Sequence, residues 1–295
     1  MSIRVPELFV EETIAREGEH GRTWIDALPS VVDDLCAAWD LDIDGDVMHG
    51  YLAVVVPVRR EDAGYVLKVS WIYEGTEHEA LALRAWDGGG AVALVDHDAE
   101  RGAMLLERLD EDTTLESVPL ADAVPIAAGL LRRLSVPCPD GPPSLRTRAE
   151  RWCAELPDEW DSLEHEIPRR ALDAAVDACA SLGPSAGDLL LNDDLHYGNV
   201  LHGSREPWLV IDPKPMRGDP EFAVAPLLWT RFDVADGEAA MRWRLDEIVD
   251  NADLDADRTL AWTLARIVDD ALWSASMGFG DGQARCTAIA RWLTP

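Results

Sequence analysis

The sequence predicts an α+β protein with a strand-rich N-terminal lobe and a mainly helical C-terminal lobe. Two apolar runs rich in β-branched residues, 47–59 and 64–71, are separated by a short turn and indicate an antiparallel hairpin. After residue 109 such runs become rare, and apolar residues recur at the three- and four-residue spacing typical of helices. We therefore expect two lobes, at residues 1–109 and 110–295.

The other N-terminal elements follow from the same periodicities. Helical spacing covers residues 24–39 and returns at 78–86, where three glycines end it. Residues 91–95 and 103–107 are expected to form two further strands on either side of the acidic turn 96–102.

The C-terminal lobe is predicted to be helical with one embedded hairpin. The proline-rich stretch 137–143 is expected to be a loop between two helices. Apolar spacing predicts a helix over 169–182, and 189–211 is an island of strand-like sequence. Helices resume at residue 225 and continue to the C-terminus.

Composition limits the classes of partner. The chain has 26 basic and 56 acidic residues, a formal net charge of −30. Nucleic acids and anionic membranes are not expected as partners, because so large a like charge would repel them. The acidity reflects either a solvated surface or the attraction of a cationic substrate. The five cysteines form no CxxC pair, and no apolar run approaches the roughly 18 residues that span a bilayer, so we expect a cytoplasmic protein without disulfides.

Two of the 26 basic residues are lysines, Lys68 and Lys214, and the others are arginines. The two residue types are not interchangeable where a compact ammonium must approach a crowded phosphate. Lysine at these two positions, in a chain that otherwise uses arginine, favours a function for Lys68 and makes Lys214 a candidate.

The segment 189–214 contains the most informative pattern. Residues 200–202 and 208–211 are expected to pair as a hairpin, which brings Asn199 and Asp212 side by side at its open end. An amide oxygen beside a carboxylate suits Mg²⁺, which takes few protein oxygens and keeps waters or phosphate oxygens. The hairpin therefore predicts a magnesium site.

Asp194 precedes Asn199 with four residues between them, the spacing of a kinase catalytic loop, in which the aspartate accepts the substrate hydroxyl proton. Any one of these side chains alone more often forms a turn or caps a helix. Their combination with the hairpin and Asp212 is much more specific. His196 and His202 lack a third histidine or cysteine at ligand spacing, so zinc is not expected.

Several stretches of the sequence resemble one family. LHYGNVL, WLVIDPKP, GDPEF and APLLW are similar to motifs of aminoglycoside phosphotransferases, and most of all to the streptomycin 6-phosphotransferase and hydroxyurea phosphotransferase group. In the N-terminal lobe, VPVRR, VLKV, HEALALRAW, GGGAV and LLERLD resemble the same group. The resemblance implies a bilobal protein-kinase-like fold, with an antiparallel-sheet N-lobe that binds the nucleotide and a mainly helical C-lobe that carries the catalytic loop and the acceptor site.

The resemblance also implies a reaction, the ATP- and Mg²⁺-dependent transfer of a phosphoryl group to a hydroxyl of a small polar acceptor. A streptomycin-type aminocyclitol is the expected acceptor. The alternatives are another amino sugar such as glucosamine, or hydroxyurea. A catalytically weak nucleotide-binding protein with the same fold is the alternative to an active enzyme.

On the nucleotide side, the resemblance makes Lys68 the contact to the α and β phosphates and Glu79 the helix carboxylate that holds it. The alternatives are a Lys68 stem that lies along the sheet with its amine in solvent, and one of two preceding glutamates as its partner. Gly50 is expected in the loop over the phosphates, although no GxGxxG motif is present. Glu107 and Leu109 fall where a hinge would pair with adenine.

On the acceptor side, Asp194 would orient or deprotonate the hydroxyl, while Asn199 and Asp212 would hold Mg²⁺. Lys214 would contact the transferred phosphoryl group or balance Asp194, unless it pairs with Asp212 or Asp219. A cationic acceptor would need carboxylates and aromatic rings in the C-lobe. The candidates are Asp193, Asp219, Glu221, Asp269, Asp270 and Trp273. For the last three, which share one predicted helix, ordinary amphipathic packing is the alternative.

The sequence departs from the family pattern in three places. Asn192 and Asp193 stand where the HGDLH motif has His and Gly, and Asp193 adds a carboxylate beside the expected base. Ala223 stands where similar kinases often have an aspartate that braces the catalytic loop. The glycine-poor loop around Gly50 is the third departure. Together they predict an altered acceptor or reduced activity.

Overall fold

The computed structural model describes residues 3–73, 78–163, 167–233 and 236–294. The chain divides into two compact units: the first comprises Met1–Gly88 and Val92–Leu109, and the second comprises Gly89–Ala91 and Asp110–Pro295.

The first unit combines an antiparallel sheet with helices. Its elements are α1 (Glu7–Trp39), β1 (Asp42–Ile43), β2 (Met48–His49), β3 (Ala53–Arg60), β4 (Ala63–Ser70), α2 (Glu79–Trp86), β5 (Leu94–Asp98) and β6 (Ala103–Glu107). The strands lie in the order β1-β3-β4-β6-β5, and β2 also pairs with β3.

The central hairpin of this sheet, formed by β3 and β4, is the predicted one. Its register runs without interruption from the pair Ala53 and Ser70 to the pair Arg60 and Ala63. At the turn, Glu61 adopts a φ of 55°. Apolar side chains of α1 and of the strands form one buried cluster, which includes Leu28, Val32, Leu35, Val54, Val56, Val58, Leu67 and Val69. Burial of this apolar area is what holds the sheet against the helix.

Two predicted boundaries in the first unit are wrong. The helix expected from residue 24 begins at Glu7, and Gly18 breaks it with a φ of 62°. The polar residues before position 24 carry little periodicity, which is why the pattern did not show this part. The strand expected over 91–95 is β5, which starts at Leu94 and takes in part of the predicted acidic turn. Because β5 is an edge strand, its acidic side chains can remain in water.

The second unit is mainly helical, as predicted. Its elements are β7 (Asp110–Thr114), α3 (Leu120–Leu134), β8 (Val136–Pro137), α4 (Leu145–Ser162), α5 (Arg169–Leu182), β9 (Leu189–Asn192), β10 (Val200–His202), β11 (Trp208–Val210), β12 (Pro215–Gly218), α6 (Ala225–Trp229), α7 (Gly237–Ala252), α8 (Ala256–Ser276) and α9 (Gly280–Leu293). Helix α5 has the predicted bounds. Helix α8 packs against both α5 and α9 and buries Trp262, Ile267 and Val268 completely.

Two small sheets carry the loops of the second unit. In one, β10 pairs with β11 as predicted and also with β7; in the other, β9 lies between β8 and β12. Strands β7 and β12 were not predicted. The first consists only of Asp, Glu and Thr, and the second begins with a proline and ends with a glycine. Both owe their conformation to pairing with distant strands, which local propensity does not report.

The described residues contain no helix that is both long enough and apolar enough to cross a membrane. All five cysteines lie within the described part of the chain and are free thiols.

Candidate active site

In the first unit, the sheet and α2 bring Lys68 and Glu79 together. Lys68 lies on β4, and Glu79 is the first residue of α2. The ammonium donates to both carboxylate oxygens, at 2.7 and 2.8 Å. The lysine side chain is 10% exposed and the glutamate 2%. Glu79 is thus a partner of Lys68, and the lysine amine does not lie in open solvent. The other two glutamates, at positions 74 and 77, lie outside the described residues.

The predicted phosphate loop is the turn between β2 and β3. Gly50 donates its backbone N–H to the carbonyl of Ala53 at 2.9 Å. The neighbouring Tyr51 is 68% exposed, and the guanidinium of Arg16 lies 4.5 Å from its ring centroid. The N–H of Gly50 is thus hydrogen-bonded within the turn, as in an ordinary hairpin. The turn does not resemble a glycine-rich phosphate-binding loop.

At the predicted hinge, the backbone N–H of Glu107 donates to the carbonyl of Ala93 at 2.9 Å, and its carboxylate accepts from the N–H of Ala93 at 3.1 Å. Glu107 is therefore a strand-pairing residue, whose N–H is not available to adenine. Leu109, at the end of the first unit, is half-buried.

In the second unit, the catalytic loop follows β9. The side chain of His196 accepts from the N–H of Gly198 at 3.1 Å and caps the short 3-10 turn Tyr197–Asn199. The amide nitrogen of Asn199 donates to the carbonyl oxygen of Asp194 at 3.3 Å. The loop therefore closes on itself and holds Asp194 and Asn199 in a fixed relation.

Lys214 pairs with Asp194. The ammonium and Oδ2 lie 2.5 Å apart, and the side chains are 49% and 26% exposed. The sequence left open whether Lys214 balances Asp194 or instead pairs with Asp212 or Asp219. The structure brings Lys214 to Asp194, a geometry suited to the first of these roles.

The hairpin of β10 and β11 brings Asn199 and Asp212 close together, but one residue out of the expected alignment. The backbone N–H of Ile211 donates to the carbonyl of Asn199 at 2.9 Å, so Asn199 lies opposite Ile211 rather than Asp212. Asp212 is exposed and follows immediately, with a φ of 50°. This left-handed conformation turns the chain at the end of the hairpin.

These two side chains fit a hard divalent cation. Because the amide nitrogen of Asn199 donates within the loop, the remaining polar atom of that side chain is an oxygen. An amide oxygen and one carboxylate match the needs of Mg²⁺, which takes one or two carboxylates and completes its shell with water and phosphate. Within the described ranges, no group of three or more His, Cys, Asp and Glu is placed to hold a metal by itself.

Asp193 points away from the loop, into the helices. One of its oxygens accepts from Arg148 at 2.6 Å, and the other lies 3.6 Å from Arg266. The residue is 7% exposed. Burial lowers the pKa of Arg266, but the charges of several carboxylates, with Asp193 the strongest, together outweigh burial, so the pKa is raised. Asp193 thus joins α4 and α8 to the catalytic loop.

Asp219 and Glu221 are internal. The carboxylate of Asp219 accepts from Arg258 at 2.5 and 2.9 Å, from the indole of Trp262 at 2.8 Å and from the N–H of Gly187 at 2.8 Å. Glu221 is 8% exposed, and burial raises its pKa. With its oxygens already occupied by the chain, Asp219 is better explained as a structural residue than as an acceptor contact.

The candidates on α8 lie in different surroundings. Burial raises the pKa of Asp269 to about 6, against the opposing charge of Arg266 3.8 Å away. Asp270 accepts from the buried thiol of Cys286 at 3.2 Å. Trp273 is 51% exposed and packs edge-on against Phe279. Asp269 is therefore the candidate whose charge depends most on its surroundings.

Ala223 is buried and offers no carboxylate, so the loop is braced in another way. The hydroxyl of Tyr197 donates to the carbonyl of Leu227 at 3.1 Å, and the guanidinium of Arg231 lies 5.4 Å from the tyrosine ring centroid. The fully buried Arg244 donates to backbone carbonyls at and just beyond the end of α6, at 2.8–3.4 Å. These braces were missed because their partners are backbone atoms, which leave no mark in a sequence. Apolar spacing around a buried arginine is the one signal that could have indicated Arg244.

A family model described as aminoglycoside/hydroxyurea antibiotic resistance kinase matches residues 38–278. The chain belongs to this family. It is a phosphotransferase, as the resemblance implied.

Two relatives illustrate the family. The streptomycin 6-kinase of Streptomyces griseus is 42% identical over 283 residues, which cover 94% of this chain and 92% of the relative. The hydroxyurea phosphotransferase of Kitasatospora aureofaciens is 40% identical over 99% of this chain and 86% of its own length.

A solved structure confirms the predicted protein-kinase-like fold of this family member. A thermostable mutant of the aminoglycoside phosphotransferase APH(4)-Ia, in a ternary complex with ADP and hygromycin B, superposes with a TM-score of 0.62. The alignment covers 89% of this chain and 98% of that chain, at 18% identity. At so low an identity the likeness concerns the fold alone.

Proposed function

We propose that this kinase transfers the γ-phosphoryl group of ATP to a hydroxyl of a streptomycin-type aminocyclitol. The observation that carries the proposal is the catalytic loop. The backbone carbonyl of Asp194 accepts from the side-chain amide of Asn199, five positions further on, and the Asp194 carboxylate lies 2.5 Å from the ammonium of Lys214. The identity of 42% with a streptomycin 6-kinase supports the choice of acceptor.

The chain's own residues divide the work of transfer. Asp194 accepts the proton of the acceptor hydroxyl, whose oxygen forms the new bond to the γ-phosphorus. The bond from that phosphorus to the bridging oxygen breaks, and the electron pair leaves with ADP. Lys214 pairs with the carboxylate of Asp194 before transfer. Lys68, held by Glu79, binds the α and β phosphates and neutralises charge on the leaving diphosphate.

Asn199 and Asp212 are the residues that would hold Mg²⁺. Bound there, the cation supplies charge neutralisation for the phosphate oxygens. The chemistry of the donor atoms supports this assignment, because the amide oxygen of Asn199 lies close to the exposed carboxylate of Asp212.

A cationic acceptor suits the electrostatics of the protein. A net charge of −30 favours the approach of cations over the whole surface. On α8, Asp269 and Asp270 are the carboxylates we propose for binding the acceptor's guanidinium or ammonium groups, with Trp273 as an exposed ring beside them. Because the pKa of Asp269 is about 6, it is mostly ionised at neutral pH and becomes neutral in mild acid.

Hydroxyurea is the second candidate acceptor. The observation in its favour is the 40% identity to a hydroxyurea phosphotransferase over 99% of this chain, almost the same likeness as to the streptomycin kinase. Hydroxyurea is neutral, so the two candidates differ in their need for the carboxylates of α8. A nucleotide-binding protein with weak catalysis is the third reading, which the pairing of Gly50 within its turn and the small side chain of Ala223 favour.

The test is mass spectrometry of an acceptor panel with ATP and Mg²⁺. Streptomycin, hydroxyurea and glucosamine are incubated separately with the purified protein, and each is examined for the mass gain of one phosphate. We expect streptomycin to gain the phosphate at the highest rate, and we expect the double variant Asp269→Asn/Asp270→Asn to phosphorylate streptomycin more slowly. A gain for hydroxyurea alone would replace the acceptor, and no gain for any compound would favour the weakly catalytic reading.

A further inference from the structure

One buried side chain joins the two segments that carry Asp194 and Lys214. Asn192 is the last residue of β9 and is 2% exposed. Its carboxamide oxygen accepts from the backbone N–H of Asp194 at 3.0 Å and from the backbone N–H of Lys214 at 2.9 Å. A single atom therefore holds the backbones of both partners of the 2.5 Å ion pair.

The surroundings explain why a side chain is needed at this point. Strands β9 and β12 pair antiparallel, and the pairing reaches its end where Asn192 faces Pro215. The backbone carbonyl of Lys214 accepts from the N–H of Asp193 at 2.8 Å. The backbone N–H of Lys214 donates to the side-chain oxygen of Asn192. The backbone of Lys214 is thereby fixed on both sides.

We propose that Asn192 is a positioning residue for phosphoryl transfer, which sets the orientation of the Asp194 carboxylate and the Lys214 ammonium through its carboxamide oxygen. The inference rests on the proposed role of Asp194 as proton acceptor. It also accounts for one departure from the family pattern, because an asparagine oxygen can accept two N–H groups at once.

The oxygen is the part of Asn192 that acts. Among the described residues, its amide nitrogen is buried and has no hydrogen-bond partner. An aspartate at the same position retains the acceptor oxygen and removes the unsatisfied donor. A leucine has nearly the same shape and removes the acceptor, which leaves two N–H groups without a partner.

The first readout is steady-state kinetics. In Asn192→Leu we expect kcat to fall roughly 10- to 100-fold, because the reacting groups lose their alignment, while the KM for ATP stays within about twofold. Asn192→Asp should recover most of the rate. Leu190→Ala, which empties a fully buried position in the same strand, is the control for lost stability. Its kcat per folded molecule should equal that of the wild type.

The second readout does not depend on activity. Lys68 and Lys214 are the two lysines of the chain, so acylation by an N-hydroxysuccinimide ester can be followed at each by peptide mass spectrometry. We expect Lys214 to react severalfold faster in Asn192→Leu than in the wild type, and at the wild-type rate in Asn192→Asp and Leu190→Ala. The rate at Lys68, in the other unit, should be the same in all four proteins.

Two outcomes would overturn the inference. One is an Asn192→Leu protein with wild-type kcat and wild-type acylation of Lys214. The other is a Leu190→Ala protein with the same fall in kcat and the same rise in the acylation rate of Lys214. That result would mean that Asn192 has a purely structural role. If the wild type phosphorylates no acceptor, the proposed function fails, and the acylation rates still decide the role of Asn192.

Discussion

Two lysine–carboxylate pairs have different surroundings: Lys68 with Glu79 in the first unit, and Lys214 with Asp194 in the second. The first pair joins a strand to a helix, has two contacts of 2.7 and 2.8 Å, and is almost completely buried. The second joins two loop segments with a contact of 2.5 Å, and half of the lysine side chain is exposed. A buried pair cannot open without leaving a charge uncompensated, whereas an exposed pair opens at little cost. Only the second is suited to a carboxylate that must release its partner and take up a proton.

The largest expected effect comes from breaking the buried pair. Lys68→Met removes the ammonium that pairs with the buried carboxylate of Glu79, so we expect the free energy of unfolding to fall by about 3–5 kcal/mol. The double variant Lys68→Met/Glu79→Leu should regain most of this loss and still transfer no phosphate. Urea denaturation of the three proteins measures the effect. A single variant as stable as the wild type would remove the distinction between the two pairs.

Asp269 is an intermediate case, with a side chain 26% exposed beside Arg266. Burial raises its pKa to about 6, above the usual 3.8, so the folded state favours the protonated form. The stability contributed by this group is fully present below about pH 4 and is lost as the pH rises through about 6. Relative to the wild type, Asp269→Asn should gain roughly 1–3 kcal/mol between pH 4 and pH 7.

Urea denaturation of both proteins at several pH values measures this difference. A difference in the free energy of unfolding that stays constant from pH 4 to pH 7 would show that the pKa of Asp269 is not raised. The same titration should appear in kinetics if Asp269 binds a cationic acceptor: the KM for streptomycin should rise in the wild type as the pH falls through 6, and stay flat in Asp269→Asn.

The smallest effect on stability is expected at the exposed pair. Lys214→Met should change the free energy of unfolding by less than about 1 kcal/mol, because exposed ion pairs contribute little. Its kcat should nevertheless fall, since Asp194 loses the ion pair that holds its carboxylate in place. Lys68→Met is the matched comparison, with the same substitution at the other lysine. A loss of several kcal/mol in Lys214→Met would mean that the two pairs are equivalent.

Local patterns were sufficient for the elements whose own residues carry the signal. The hairpin of β3 and β4, the strand β6 and the helix α5 were all predicted from alternation or helical spacing. The proximity of Asn199 and Asp212 followed from the length of the hairpin between them. The one-residue offset did not, because the register of a hairpin is set by the length and conformation of its turn, here the five residues 203–207.

Contacts between residues far apart in the chain could not be predicted. Arg148 and Asp193 are separated by 45 positions, and Arg258 and Asp219 by 39. From the sequence, a carboxylate near the catalytic loop is easily interpreted as a substrate contact. The burial of Asp193 and Asp219 against arginines, seen only in the structure, favours a structural role. Asn192 was visible only as a departure from the family pattern, because its two partners are backbone N–H groups.

The proton-accepting role of Asp194 is tested most directly by single-turnover transfer in Asp194→Asn, with streptomycin, ATP and Mg²⁺. The substitution keeps the size of the side chain and removes its basicity, so we predict a transfer rate lower by roughly 10²- to 10⁴-fold, with ATP binding and the free energy of unfolding unchanged. A transfer rate within about threefold of the wild type would contradict the role, because a loss of basicity that leaves the rate intact excludes general-base catalysis by this residue.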